Sequence, residues 1–448
     1  MRTPKPAAGG KLRLIPLVAA TYFMVSGGPY GLEELVRDSG YEIALAILLL
    51  TPLIWSLPTA LMVGELAAAI PCEGGFYIWV RRAMGPFWGF QEAWLSLTAS
   101  VFDMAAYPTV FVMYLGRIWA PAKEGHNGVI IAALVIFACM FWNLFGAKAV
   151  GDGSVLLGAL LLSPFVLITI FALFRHTDLS ASTGSATSTH PDLLAGIIVA
   201  MWNYMGWDNA STVAEEVENP QRTYPRVMMI TLAAIVISYA IPVFAVSRTH
   251  VQPSYWATGA WADIGAMIVA PWLGLMLVMA AMISAFGSLN SLTMSLSRLP
   301  AALSEDGYAP ALFRRKLANG APWAAIAACG LAWTAVLGLS FDRMLMLDIL
   351  LYGASLVLEF IALVLLRIRE PELVRPFRIP GGLAGAICAG VGPTALLMVA
   401  LIRNHNEQMG NISALTVGLI IMAAGVGFYF IAAWRRQHAP GPVAGDVS

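Results

Sequence analysis

Four carboxylates fall well inside apolar stretches of this sequence: Glu65, Asp103, Asp208 and Glu359. Glu33, Glu34, Glu92 and Asp348 lie nearer the ends of such stretches. Charge is costly in hydrocarbon and is found there mainly where it acts. The opposite charges are missing. No Lys or Arg falls mid-stretch, and the histidines (His126, His176, His190, His250, His405 and His438) sit in connections or at ends. The embedded chemistry is thus acidic without resident counter-ions. It suits a cation (a proton, a metal ion or an ammonium) and repels an anion. Asp103 has Tyr107 one turn later on the same helical face. A carboxylate beside a phenol gives an ammonium both an ion pair and a cation–π contact. Glu359 has Tyr352 two turns earlier on roughly the same face. Each carboxylate could instead carry a proton and bond a neighbouring helix, and Asp208 could cap a half-helix. Glu65, toward one end of its stretch, reads as structural.

The elements that must carry these groups are membrane spans. Of 448 residues, 59% are hydrophobic and 12% charged, against roughly 25% charged in soluble domains; the mean hydropathy is +0.74. Apolar runs of spanning length lie near 13–36, 43–69, 87–116, 128–145, 153–174, 193–217, 226–247, 268–297, 322–341, 344–366, 383–402 and 412–434. The expected class is therefore an all-α integral membrane protein of twelve helices. All but seven of the 26 Lys and Arg fall on one side of these spans. The seven are Arg37, Arg117, Lys123, Arg175, Arg248, Arg343 and Arg403. The positive-inside rule then puts both termini in the cytoplasm, with 1–12 as an N-terminal segment and 435–448 as a tail. The first apolar run is too long and too interrupted for a cleavable signal.

Two spans are interrupted. Ser26-Gly27-Gly28-Pro29-Tyr30-Gly31 breaks the first, because proline lacks an N–H and glycine disfavours helix. Trp202-Asn203-Tyr204-Met205-Gly206-Trp207-Asp208 breaks the sixth. Irregular backbone at membrane depth persists only where it is buried or lines a cavity. Breaks five spans apart match an inverted repeat of five plus five helices, here 13–174 and 193–366, followed by two helices in 383–434. Pro29 suits the first turn of a new half-helix, whose positive end would attract a carboxylate. Glu33 and Glu34, about one turn on, would offset it and favour amines that lack a carboxylate.

Other residues read as gates or packing. Glu215, Glu216 and Arg222 follow the sixth span at its cytoplasmic end, where Glu–Arg pairs could hold a gate shut. Ser284, Ser288 and Ser291 line the eighth span, as helix packing or a sodium site between helices one and eight would place them. Cys72, Cys139, Cys329 and Cys388 have no metal-like spacing. Zero net charge leaves no nucleic-acid footprint. No catalytic dyad, phosphate cradle or cofactor motif is present.

The chain resembles the amino acid–polyamine–organocation superfamily of transporters across nearly all its spans. The resemblance is carried by the first-helix break, Gly74-Gly75-Phe76-Tyr77, Asn219-Pro220-Gln221-Arg222, Ser297-Arg298-Leu299-Pro300, Asp306-Gly307-Tyr308-Ala309-Pro310 and Arg375-Pro376-Phe377-Arg378-Ile379-Pro380. Within that superfamily it looks most like the polyamine–proton symporters of plants and protists and their bacterial relatives. Gly85-Pro86-Phe87-Trp88-Gly89-Phe90-Gln91, Trp207-Asp208, Leu358-Glu359-Phe360 and the Asp103–Tyr107-Pro108 spacing look like that branch. The resemblance implies five-plus-five inverted repeats, a midplane site between helices 1, 3, 6, 8 and 10, and proton-driven uptake. Some proton-coupled relatives carry a lysine in helix five; Ala159–Phe165 here has none. Glu33, Glu34, Asp103, Asp208 or Glu359 would then carry the proton.

The expected activity is secondary transport of an organic cation, a polyamine such as putrescine or spermidine, across the plasma membrane. Asp103, Asp208 and Glu359 would hold ammonium groups, with Tyr107, Trp202, Tyr204 and Tyr352 around them. Ser26, Gly27, Gly28 and Gly206 would supply backbone groups. The alternative is an amino-acid transporter or exchanger of the same superfamily. No cofactor beyond the coupling proton is expected, and the partners are a small amine or amino acid and the lipid bilayer.

Overall fold

A computed structural model describes residues 10–175, 178–179, 193–338, 341–404, 408–409 and 412–438. Of the segments named above, 1–9, 180–192 and 439–448 lie outside the described residues. Among the described residues eight helices are long and apolar enough to cross a membrane, and Leu14–Val25, Asn127–Asn143 and Trp323–Ala335 are shorter apolar helices. A two-residue antiparallel pair, Gln408–Met409 against Ile412–Ser413, joins the last two helices.

The breaks set the architecture. Helix α1 (Leu14–Val25) stops at the Ser-Gly-Gly-Pro run, and α2 (Glu33–Thr51) resumes beyond it. Gly40, at φ 72°, bends α2, so its first turns complete the broken helix and the remainder starts the next one. That helix continues through a π-helical turn, Pro52–Ser56, into α3 (Leu57–Ala69). Next come α4 (Gly75–Met84), α5 (Pro86–Ile118), α6 (Asn127–Asn143) and α7 (Ala147–Phe174). Helix α8 (Leu193–Trp202) ends at the second break. The chain then runs as 3-10 turns over Trp207–Thr212 and Ala214–Glu216 rather than as the α-helical half that the sequence suggests. The short polar residues there bond their own backbone and compete with the α-helix; the Thr212 hydroxyl, for one, donates to the Asn209 carbonyl at 3.0 Å.

The rest is α9 (Pro220–Ser247), α10 (Ala260–Ile268), α11 (Pro271–Leu296), α12 (Arg298–Glu305), α13 (Trp323–Ala335), α14 (Phe341–Arg369), α15 (Gly382–Asn404) and α16 (Ala414–His438). Helices α5 and α14 lie along each other, α3 packs on α9, and α11 packs on α1, α5 and α7. The two breaks sit inside this arrangement. Outward faces carry exposed Leu134, Phe141, Leu156, Ile237, Phe244 and Phe430, as surfaces facing lipid do.

Candidate functional site

Unwound backbone inside a membrane protein needs partners for every freed N–H and C=O. Here aromatic side chains supply many of them. Trp261 Nε1 donates to the Pro29 carbonyl at 2.9 Å, and the Ser284 hydroxyl donates to the Gly27 carbonyl. At the second break, Trp55 and Trp207 Nε1 both donate to the Tyr204 carbonyl, at 3.1 and 2.9 Å. The Tyr239 hydroxyl donates to Asn203 O at 2.9 Å. The Gly206 N–H donates to the Tyr352 hydroxyl at 3.0 Å. Gly206 has φ +92°, and a Cβ there would stand 2.5 Å from the Met24 carbonyl oxygen. The two breaks therefore touch, and only glycine fits the contact.

Around them runs an acidic stripe. Glu92, Ser96, Asp103 and Tyr107 share one face of α5 by helical spacing, and Asp348, Tyr352, Ser355 and Glu359 share one face of α14. The helices are antiparallel neighbours, so the stripes meet. The Ser355 hydroxyl donates to Glu92 Oε1 at 2.6 Å and lies 2.9 Å from the Ser96 hydroxyl. The Tyr352 hydroxyl donates to Asp208 Oδ1 at 2.5 Å, tying α14 to the second break. Tyr107 follows Asp103 by one turn on the same face of α5, and the antiparallel pairing sets Asp348 on the facing stripe of α14. Asp103 and Tyr107 are half-buried, whereas Glu92, Asp208, Asp348 and Glu359 are buried. Asp103 is thus the carboxylate of this stripe most open to a solute. Glu92 and Asp348, set aside in the sequence as nearer the span ends, belong to the stripe. Their spacing to Asp103 and Glu359 was the signal that could have found them.

The first break is occupied by its own acid. Glu33, 1% exposed, accepts from the Gly31 N–H (2.7 Å), the Gly259 N–H (3.3 Å) and the Tyr114 hydroxyl (3.3 Å). The Gly28 N–H is taken by the Ser26 hydroxyl at 3.0 Å. Glu34, by contrast, is exposed and bonded to Thr258 at 3.4 Å, outside the group gathered at the breaks. Trp202 is half-buried, with its ring against Gly31. Tyr204 differs from the expected aromatic wall. Its hydroxyl donates to the Leu48 carbonyl at 2.9 Å and its ring packs on Tyr239, so it is spent on joining α2 to α9.

At the end of the bundle rich in Lys and Arg, Glu216 of the expected cluster is paired, but with a different arginine. Arg298, 1% exposed, reaches Glu216 Oε1 through Nε at 2.7 Å and Nη2 at 2.6 Å. Arg222 is exposed on the first turn of α9 and Glu215 is exposed as well; neither forms an ion pair among the described residues. The cause is the left-handed Asn219, φ 47°, which redirects the chain into α9 and turns Arg222 away. Around this pair, Leu12 exchanges backbone bonds with Glu216 and Glu218, both 2.8 Å. Arg81 and Tyr77 meet Asp306, and Lys316 meets Glu73. Burial raises the Glu73 carboxyl while Lys316 opposes the shift. Glu65 is held by Arg367 (Nε, 2.9 Å), Arg375 (3.4 Å) and the Ile379 N–H (2.8 Å), a structural anchor. Ser284 bonds the first break, Ser291 lies 3.3 Å from Ser154, and the buried Ser288 hydroxyl has no partner.

Broken helices enclosing buried charge within an all-helical, lipid-facing bundle define a multi-pass membrane transporter. Residues 18–424 match the amino acid permease family, and the chain belongs to that family. It is 32% identical over 413 residues to the polyamine transporter RMV1 of Arabidopsis thaliana, covering 92% of this chain and 84% of that one. It is also 32% identical over 425 residues to the polyamine transporter PUT1 of Oryza sativa subsp. japonica, covering 94% and 79%. Among solved structures it is similar to MhsT, crystallised with L-phenylalanine. The TM-score is 0.61 at 14% identity, over 88% of this chain and 99% of that one. That likeness is one of fold.

Proposed function

We propose that this protein takes up a polyamine of the putrescine–spermidine class by proton symport across the plasma membrane. Twelve spans would arise as α1 with the first turns of α2, the rest of α2 with α3, α5, α6, α7, α8 with its 3-10 continuation, α9, α11, α13, α14, α15 and α16. The first ten form two inverted repeats, 13–174 and 193–366, and 383–434 adds the last two. The Lys/Arg-rich end faces the cytoplasm, with both termini. Asp103 receives an ammonium beside Tyr107, with Asp208 and Asp348 behind it and Trp202 near the first break. The Arg298–Glu216 pair closes the cytoplasmic side until the bundle built on the broken helices rocks against α5 and α14.

One observation carries the cargo assignment. At the first break the Gly31 and Gly28 N–H donors are already engaged by Glu33 and Ser26, while the charged groups of the stripe beyond are carboxylates alone. A cargo with amines and no carboxylate fits both facts. The naming of the plant relatives as polyamine transporters supports the same reading. The test is uptake of labelled putrescine or spermidine into proteoliposomes under an inward proton gradient. Uptake should be lost in Asp103→Asn. Stronger competition by arginine or leucine than by putrescine would establish the amino-acid reading instead.

A further inference from the structure

We propose that Glu92 and Glu359 form a proton-holding pair, distinct from the ammonium-binding Asp103, and that this pair couples the proton to transport. The inference rests on the amine-transport reading above. Both side chains are 0% exposed. Neither oxygen of Glu359 has a hydrogen-bond partner, and Glu92 Oε2 has none. The other Glu92 oxygen accepts from Ser355 at 2.6 Å and Ser96 at 3.3 Å. Ser355 stands one turn before Glu359 on the same face of α14. Glu359 feels the charges of Glu92 and Asp208.

Among the described residues, the elements packed on α14 bring no free cation to this part of it. Helix α5 offers Glu92, and the 3-10 turn offers Asp208. Helix α14 itself offers Asp348 and Tyr352. Glu65 of α3 is already paired with Arg367 and Arg375. Arg81 and Arg82 of α4 are paired with Asp306 and Glu370. Helix α15 has no charged residue before Arg403, and the basic groups of α16 are at its far end. A buried carboxylate with no hydrogen bond and no counter-charge is costly as an anion, and more so beside a second one. The site is sealed from solvent, and a proton is the cation that needs no added volume.

In the cycle, a proton from water on the outer side adds to a Glu359 oxygen, forming its O–H, and the same proton is later given up to water on the inner side. No other reactant is consumed. The charge change reaches the moving parts through Tyr352, which holds both Asp208 and the Gly206 N–H at the second break.

The experiment compares two readouts on the full-length protein in proteoliposomes: accumulation of labelled polyamine driven by a proton gradient, and counterflow of labelled against unlabelled polyamine without one. Glu92→Gln should lose accumulation at least about tenfold, the equivalent of about 1.4 kcal/mol, yet keep counterflow within about twofold. Glu359→Gln should lose accumulation likewise. Ser355→Ala, a milder change, should move the pH midpoint of accumulation by about half a unit or more. Native-like accumulation in Glu92→Gln or Glu359→Gln would overturn the inference, as would an unmoved midpoint in Ser355→Ala or parallel loss of both readouts in Glu92→Gln. Absence of counterflow in the native protein would instead overturn the amine-transport reading.

Discussion

The Arg298–Glu216 pair can be tested as a latch with a reporter already in the chain. Arg298 is 1% exposed; its Nε donates a hydrogen bond to one Glu216 oxygen, and its Nη2 makes a 2.6 Å ion-pair contact with the same oxygen. Removing one partner of a fully buried ion pair costs about 3–5 kcal/mol. Glu216 keeps 23% of its side-chain surface in contact with solvent, and the Met294 carbonyl also accepts from Arg298. A lower figure of about 2 kcal/mol is therefore appropriate for Glu216→Gln, charged against the closed state alone. By the relation of about 1.4 kcal/mol per tenfold, that is about a thirty-fold rise in the open population. Cys72 lies in the turn beside this ion pair, half-buried, and burial raises its thiol while Glu215 adds to the effect. Its alkylation should therefore follow opening. In a Cys388→Ser background, which removes the exposed cysteine, the rate of Cys72 labelling should rise by about an order of magnitude or more in Glu216→Gln. A rate within twofold of the parent would refute the latch. Arg222→Gln is the control, since Arg222 is exposed and has no ion pair among the described residues; its labelling rate should not change.

Three further outcomes are expected. Gly206→Ala places a Cβ at positive φ and 2.5 Å from Met24 O; backbone strain of about 1–2 kcal/mol and overpacking of about 1–3 kcal/mol should lower thermal stability measurably, and an unchanged melting temperature would show that the breaks do not touch. Glu33→Ala frees the Gly31 N–H, so inhibition of polyamine uptake by arginine or leucine should strengthen by about tenfold; unchanged competition would mean that Glu33 does not exclude carboxylates. Finally, Arg82 bonds Glu370 bidentately at 2.8 and 2.6 Å and holds its carboxyl below the usual carboxylate value. A depressed folded value means the pair stabilises above the ordinary carboxylate range and is lost as pH falls through the lowered one. Because it is exposed, Arg82→Gln should cost less than about 1 kcal/mol at neutral pH, and that cost should vanish in acid; a cost that persists there would refute the pairing.

Both breaks were legible because Gly-Gly-Pro and a mid-span glycine among polar residues violate helix propensity in segments that must otherwise be helical. The acidic character of the interior was legible for the same reason, since a carboxylate in an apolar run stands out whatever its partners. What the sequence did not disclose depends on distance between elements. Arg222 lies close to the glutamates in sequence, yet the left-handed Asn219 turns it outward, and Arg298, about eighty residues on, takes its place. Tyr204 has the composition of a substrate wall, but its direction is decided by Leu48 and Tyr239, which only the packing of α2 on α9 brings near. Glu33 shows the converse case. Its offset of the half-helix terminus was expected from one turn of spacing, but the bonds to Gly259 and Tyr114 required two other elements to close over it. The same reasoning explains why Glu92 does not stand out in the sequence: its depth depends on where α5 begins, and its partner Ser355 lies 263 residues away. Local sequence identifies where the helices must fail and that the interior is acidic. Which acids meet a solute, which meet each other and which are tied down is decided by the antiparallel pairing of α5 with α14, and that pairing separates the half-open Asp103 from the sealed Glu92 and Glu359.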